Sequence, residues 1–155
     1  GNDLVKTLAL AGGSVVAISA IFNGLGRLFW AKLSDNIGRK AVFATMFATQ
    51  AVLYALIAAG VISSYYVFVA IACFLLACYG GGFATMPAFA ADSFGPTYIG
   101  KVYGFMLTAW SAAGIIGPLV FAQLKRNEAL FVAAGLLSIG LLVDMFYKRP
   151  SPKKA

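Results

Sequence analysis

Charge is confined to a few short clusters, and the intervals between them limit what this chain can fold into. No Asp, Glu, Lys or Arg occurs between Lys40 and Asp92, a run of 51 residues. Two further charge-free runs lie between Lys6 and Arg27 and between Lys101 and Lys125. A helix needs about 20 apolar residues to cross a bilayer core, so the longest run holds two crossings and each of the others holds one. Soluble domains carry about 25% charged residues; this chain carries 11%, is 61% hydrophobic and has no histidine. Its mean hydropathy is +0.88. A water-soluble enzyme and a secreted disulfide scaffold are excluded. Cys73 and Cys78 lie five positions apart within one apolar run, on different helix faces, and read as small core residues rather than a bridge or a metal site.

These runs and the apolar stretch after Glu128 predict helices over 8–31, 41–62, 66–91, 102–124 and 129–147, which together form one transmembrane unit, 1–147. Strands are excluded because spans of this length lack period-two alternation and are rich in alanine and leucine. Residues 148–155, Lys148-Arg149-Pro150-Ser151-Pro152-Lys153-Lys154-Ala155, form a polar tail expected to be disordered. The chain begins at Gly1 without a signal peptide's charged start, and we read it as a piece of a longer, transporter-sized chain.

Five spans place Arg27, Lys32, Arg39, Lys40, Lys101, Lys148, Arg149, Lys153 and Lys154 on one side, against Lys6, Lys125 and Arg126 on the other. Loops rich in Lys and Arg stay in the cytoplasm, which predicts a cytoplasmic tail and a cell-membrane location. Lys125-Arg126 runs against the trend and is partly offset by Glu128. The net charge of +7 therefore reports topology and an anionic inner leaflet. Nucleic acid is not an expected partner, because the basic residues form no single patch beside stacking aromatics.

The most specific stretch joins the first two helices: Asn23-Gly24-Leu25-Gly26-Arg27-Leu28-Phe29-Trp30-Ala31-Lys32-Leu33-Ser34-Asp35-Asn36-Ile37-Gly38-Arg39-Lys40. Gly38 permits a positive φ in a tight connection. Asp35 is placed to accept hydrogen bonds at a helix start, and Arg39 and Lys40 to anchor the second helix at the headgroups. Such a cluster can hold two helices together in one conformation and release them in another. The Leu-Ser-Asp-x-x-Gly-Arg-Lys core resembles the short cytoplasmic-loop signature of the major facilitator superfamily, with Ala31 where that pattern usually has glycine. The resemblance implies that Asp35, Gly38, Arg39 and Lys40 act as a conformational latch.

A second stretch, Pro87-Ala88-Phe89-Ala90-Ala91-Asp92-Ser93-Phe94-Gly95, is followed by Val102-Tyr103-Gly104-Phe105-Met106 and by Trp110 to Pro118. Together with the Asn-Gly-Leu-Gly-Arg run it is similar to the oxalate/formate antiporter branch of that superfamily. The resemblance covers nearly the whole chain. It implies an all-α membrane fold, with five helices of a C-terminal six-helix bundle, the eighth to the twelfth of a twelve-helix carrier. The N-terminal half of that carrier would be a partner, as would the lipid bilayer.

Ser19, Asn23 and Arg27 recur every four residues and so share a helix face. An arginine in a span faces a cavity or a partner, or it snorkels to the headgroups. In the oxalate/formate branch an arginine of the eighth helix contacts the dicarboxylate. Arg27 matches it, which implies that Arg27 and its neighbour Asn23 meet a substrate carboxylate by the bidentate fit of guanidinium to carboxylate. That branch also uses a lysine in the middle of the eleventh helix, whereas no charge occurs here from Val102 to Leu124. One cation rather than two favours a monocarboxylate such as formate, lactate or pyruvate.

Tyr103, Trp110, Gly114 and Gly117 lie along one side of the fourth helix. Trp110 at mid-span is expected inside the bundle, as a substrate-lining aromatic or as packing. Gly114 and Gly117 would allow close helix approach, with Pro118 adding a kink. Gly80-Gly81-Gly82 and Pro87 interrupt the third helix pattern, a pointer either to gating or to packing flexibility. Asp144 is four residues before Lys148, a spacing for a surface ion pair; a proton-coupling carboxylate is the alternative. No cofactor is implied.

Three function classes compete. A secondary carrier of small organic anions, by antiport or symport, accounts for Arg27 and for the charged loop. An intramembrane enzyme would need a nucleophile–base pair or a metal set, and the spans contain none. A non-transporting anchor or sensor subunit predicts neither a cation within a span nor a latch.

Overall fold

The structure, a computed structural model, describes the backbone of residues 2–148 and the side chains of residues 16–148. It contains α1 (Asn2–Ile37), α2 (Arg39–Ala58), α3 (Tyr65–Phe94), α4 (Ile99–Gln123) and α5 (Arg126–Phe146), with a short 3-10 turn at Pro96–Tyr98 before α4. No strand occurs among the described residues. Four of the helical segments, Arg39–Ala58, Tyr65–Phe94, Pro96–Gln123 and Arg126–Phe146, are long and apolar enough to cross a membrane. The described part of α1 carries Arg27, Lys32 and Asp35, so it is the most polar of the five. Residues 149–155 of the expected tail lie outside the described residues.

α1 and α3 run further than the charge clusters predict, whereas α2 ends at Ala58, short of the expected 62, just before Gly60 at positive φ. α1 passes through Lys32 and Asp35 to Ile37 rather than ending near Ala31, and α3 runs to Phe94 rather than to Ala91. Charged side chains do not stop a helix; Gly38 and Gly95 do. Both adopt positive φ, 93° and 83°, where a Cβ would clash with the neighbouring backbone. Gly38 is the single non-helical residue between α1 and α2, which brings the start of α2 directly against the end of α1.

Two helix pairs dominate the packing, α1 with α3 and α2 with α5. Glycine makes the first pair close. A Cβ on Gly26 would fall on the backbone of Ala77, one on Gly80 on the backbone carbonyl of Asn23, and one on Gly81 on the Trp30 ring. Small residues of this kind let helices approach where lipid supplies no hydrophobic driving force. The core is small: Trp30, Val42, Met46 and Cys78 are buried, with Leu33 and Phe74 against them. Cys73 and Cys78 are both buried and free.

α3 continues unbroken through Gly80-Gly81-Gly82 and Pro87. Thr85 Oγ1 donates to the Gly81 carbonyl at 2.9 Å within this stretch, a side-chain bond to the preceding turn common in membrane helices. Gly82, Gly114 and Gly117 have nothing within 4 Å of where a Cβ would stand. The close approach expected at Gly114 and Gly117 is thus not made among the described residues. The reason is that α4, which contains Pro118, has no buried residue and lies at the edge of the bundle. Its exposed face includes Phe105, Trp110, Ile115, Ile116 and Leu119, an apolar surface that suits lipid or further protein rather than water.

Candidate functional site

The periodicity that puts Ser19, Asn23 and Arg27 on one face of α1 also puts them in one groove. This open groove, of about 560 Å³, is lined from α1 by Val16, Ser19, Ala20, Asn23, Gly24 and Arg27, and from α3 by Leu76 and Tyr79. Arg27 supplies the only charge in that lining among the described residues. Its Nε donates to Asn23 Oδ1 at 3.3 Å, a bond that does not use the paired Nη groups. The Gly80 approach to the Asn23 backbone sets the depth at which α3 meets this face. Glycine packing and the polar groove thus share a residue.

The groove's aromatic wall continues beyond it. Tyr79 meets Phe83 edge-to-face at 5.3 Å, and Phe83 meets Trp110 at 5.2 Å with planes 89° apart. Trp110 is therefore linked to the groove through two rings but does not line it, and Tyr103, half-buried on α4, is not part of the lining either. Sequence reasoning missed Tyr79 and Phe83. The available signal was their i,i+4 spacing, which puts two rings on one face of a helix otherwise built there from small residues.

The second cluster lies at the Gly38 end of the bundle. Arg39 Nη1 donates to Ser34 Oγ at 2.9 Å and pairs with Asp35 Oδ1, while Arg39 Nε lies 3.4 Å from Asp92 Oδ2. One guanidinium thus joins the last turn of α1, the first turn of α2 and the last turn of α3. Asp35 is in the last turn of α1, not at a helix start. The N-cap of α2 is Gly38, with no side-chain cap bond. Asp35 therefore does not cap α2; its charge opposes the α1 dipole, and Arg39 offsets it.

Lys40 turns towards α5. Its Nζ donates to the carbonyls of Met145 at 3.0 Å and Tyr147 at 2.9 Å, the orphan acceptors of a helix C-terminus, where a cation is favoured. Arg39 and Lys40 thus tie helices to one another rather than only to headgroups. The expected Asp144–Lys148 pair is not formed. Asp144 is buried against α2, with Oδ2 lacking a hydrogen-bond partner, while Lys148 is exposed. The cause is packing of the last turn of α5 on α2, which turns the Asp144 face inward.

Comparison with known proteins agrees with this architecture. The family model described as Major Facilitator Superfamily matches residues 6–155. The chain is also 33% identical over 125 residues to a protein named oxalate:formate antiporter from Oxalobacter formigenes, a match covering 79% of this chain and 30% of that protein's length. A chain with helices and no strand among its described residues, four of those helices apolar enough to cross a membrane, and matched by that model over residues 6–155, belongs to the Major Facilitator Superfamily as a multi-pass membrane protein.

Proposed function

We propose that the chain is part of a twelve-helix secondary carrier in the cell membrane, its tail cytoplasmic, that moves small organic anions by alternating access, with monocarboxylates as the preferred class. The observation that carries this reading is the single guanidinium in the α1–α3 groove. Asn23 engages Nε, so the Nη pair is free to take one carboxylate by two parallel bonds. The bond to Asn23 and the place in the groove beside Leu76 and Tyr79 support substrate contact over snorkelling. The apolar partners in the lining, Val16, Ala20, Leu76 and Tyr79, offer no second cation to a dicarboxylate.

Tyr103 and Trp110 would act at a distance from the carboxylate, Trp110 by bracing Phe83 and Tyr79. Asp35, Gly38, Arg39 and Lys40 would act as the latch that favours one conformation over another. The second reading is an oxalate/formate-type exchanger, favoured by the similarity to the Oxalobacter formigenes protein; the second cation would then come from outside this chain. Either reading is of a carrier rather than an enzyme.

Arg27→Lys in the full-length carrier tests the substrate contact. A point charge does not reproduce a planar two-bond fork, so binding should weaken by about 1.5–3 kcal/mol. The measurement is ligand-dependent thermal stabilisation with formate, lactate and oxalate. Affinity in the lysine variant close to that of the unmodified carrier would assign Arg27 to the membrane surface. Strong oxalate binding by the unmodified carrier would overturn the monocarboxylate preference.

A further inference from the structure

The pair Lys125-Arg126 opposes the charge asymmetry of the rest of the chain, and topology leaves it without a task. In the fold it stands where α5 begins, at the end of the bundle opposite Gly38. Lys125 contributes its backbone N–H to Glu128 Oε2 at 3.1 Å. The Arg126 side chain makes no hydrogen bond or ion pair among the described residues. It lies on the rim of a cleft of about 550 Å³ between α2, α3 and α5.

The chemistry of this cleft is divided. Arg126, Ser63 and Ser64 line it with a cation and two hydroxyls, and Tyr54, Phe68 and Leu75 line it with rings and hydrocarbon. Its lining contains no acidic residue and shares none with the Arg27 groove. Ser63 and Ser64 are in the α2–α3 connection and Arg126 is at a helix start, so the polar rim is at helix ends, the level of lipid headgroups. The apolar walls belong to helices that run into the bilayer.

We propose that this cleft holds an anionic phospholipid, with the phosphate on Arg126 and the serine hydroxyls and the glycerol–acyl portion against Tyr54, Phe68 and Leu75. Charge complementarity selects the headgroup: the rim has a guanidinium with no acidic partner, and a phosphate diester presents two oxygens to its planar fork. The walls select an amphiphile. A small hydrophilic anion satisfies Arg126 but leaves the aromatic and aliphatic lining facing water, whereas an acyl chain covers it. A bound lipid here would join α2, α3 and α5 at this end, as Arg39 and Lys40 join helices at the other.

The test uses the full-length carrier in detergent, loaded with phosphatidylglycerol or phosphatidylcholine and followed by native mass spectrometry. Phosphatidylglycerol should be retained over phosphatidylcholine. Arg126→Gln should lower phosphatidylglycerol retention about fivefold, the worth of one basic residue near a lipid surface, and leave phosphatidylcholine unchanged. Ser63→Ala with Ser64→Ala, in an exposed connection that tolerates change, should lower it in the same direction. Equal retention of phosphatidylglycerol by the unmodified carrier and both variants overturns the proposal. Displacement of the lipid by soluble glycerol phosphate also overturns it, because the site would then take a free anion.

Discussion

Arg39 Nε lies 3.4 Å from Asp92 Oδ2 while Nη1 of the same guanidinium pairs with Asp35. Three helix ends therefore meet at one side chain, four-fifths of which is shielded from solvent. A shielded guanidinium with several acceptors resists screening better than a surface pair. It also gives the bundle one point at which a change in the relative position of α1, α2 and α3 breaks several charged bonds together.

Neutralising this junction should slow transport without weakening substrate binding. Arg39→Gln and Asp92→Asn should each depress turnover at matched protein amount, as the proposed latch would bias conformations without touching substrate. The double variant should show coupling of about 0.5–1 kcal/mol, read from initial transport rates. Turnover equal to the unmodified carrier in both single variants would remove the latch from the mechanism.

The same substitution at two glycines, two positions apart on α3, should be costly at one and harmless at the other. A methyl at Gly80 meets the Asn23 backbone, whereas a methyl at Gly82 meets nothing within 4 Å. Gly80→Ala should destabilise the protein by about 1–3 kcal/mol by forcing α3 off α1. Gly82→Ala should be neutral, or stabilising by up to about 1 kcal/mol, since alanine is the better helix former. Thermal unfolding of the two variants decides; a Gly80→Ala protein as stable as Gly82→Ala would mean that α1 and α3 do not meet as closely as described.

Orientation is open to single-cysteine labelling after Cys73 and Cys78 are replaced. Ser34 is a poor reporter because it is buried and bonded to Arg39; Asn36 and Ser63 are exposed at opposite ends of the bundle. A membrane-impermeant reagent added outside intact cells should label Ser63→Cys and spare Asn36→Cys. The reverse pattern would invert the topology drawn from the basic residues.

The polar face of α1 was legible in the sequence because a repeat of four is local: Ser19, Asn23 and Arg27 point the same way whatever surrounds them. Tyr79 was harder to place, since its entry into the groove depends on how α3 lies on α1. That depends on where Gly26, Gly80 and Gly81 permit contact. Asp144 shows the limit of spacing arguments. Its i+4 relation to Lys148 is sound for an exposed helix, but α2 covers that face.

The three long charge-free runs foretold four of the five helices, and the apolar stretch after Glu128 the fifth. Backbone N–H and C=O groups within lipid must be satisfied inside each segment, and only a helix does so locally. The charged loop at Asp35–Lys40 was likewise visible as a unit. Only the tertiary structure decided its partners: Asp92 reaches Arg39 from the end of α3, and Lys40 finds the Met145 carbonyl 105 residues away. Such pairings depend on which helix faces meet, and hydropathy along the chain carries no information about which faces do.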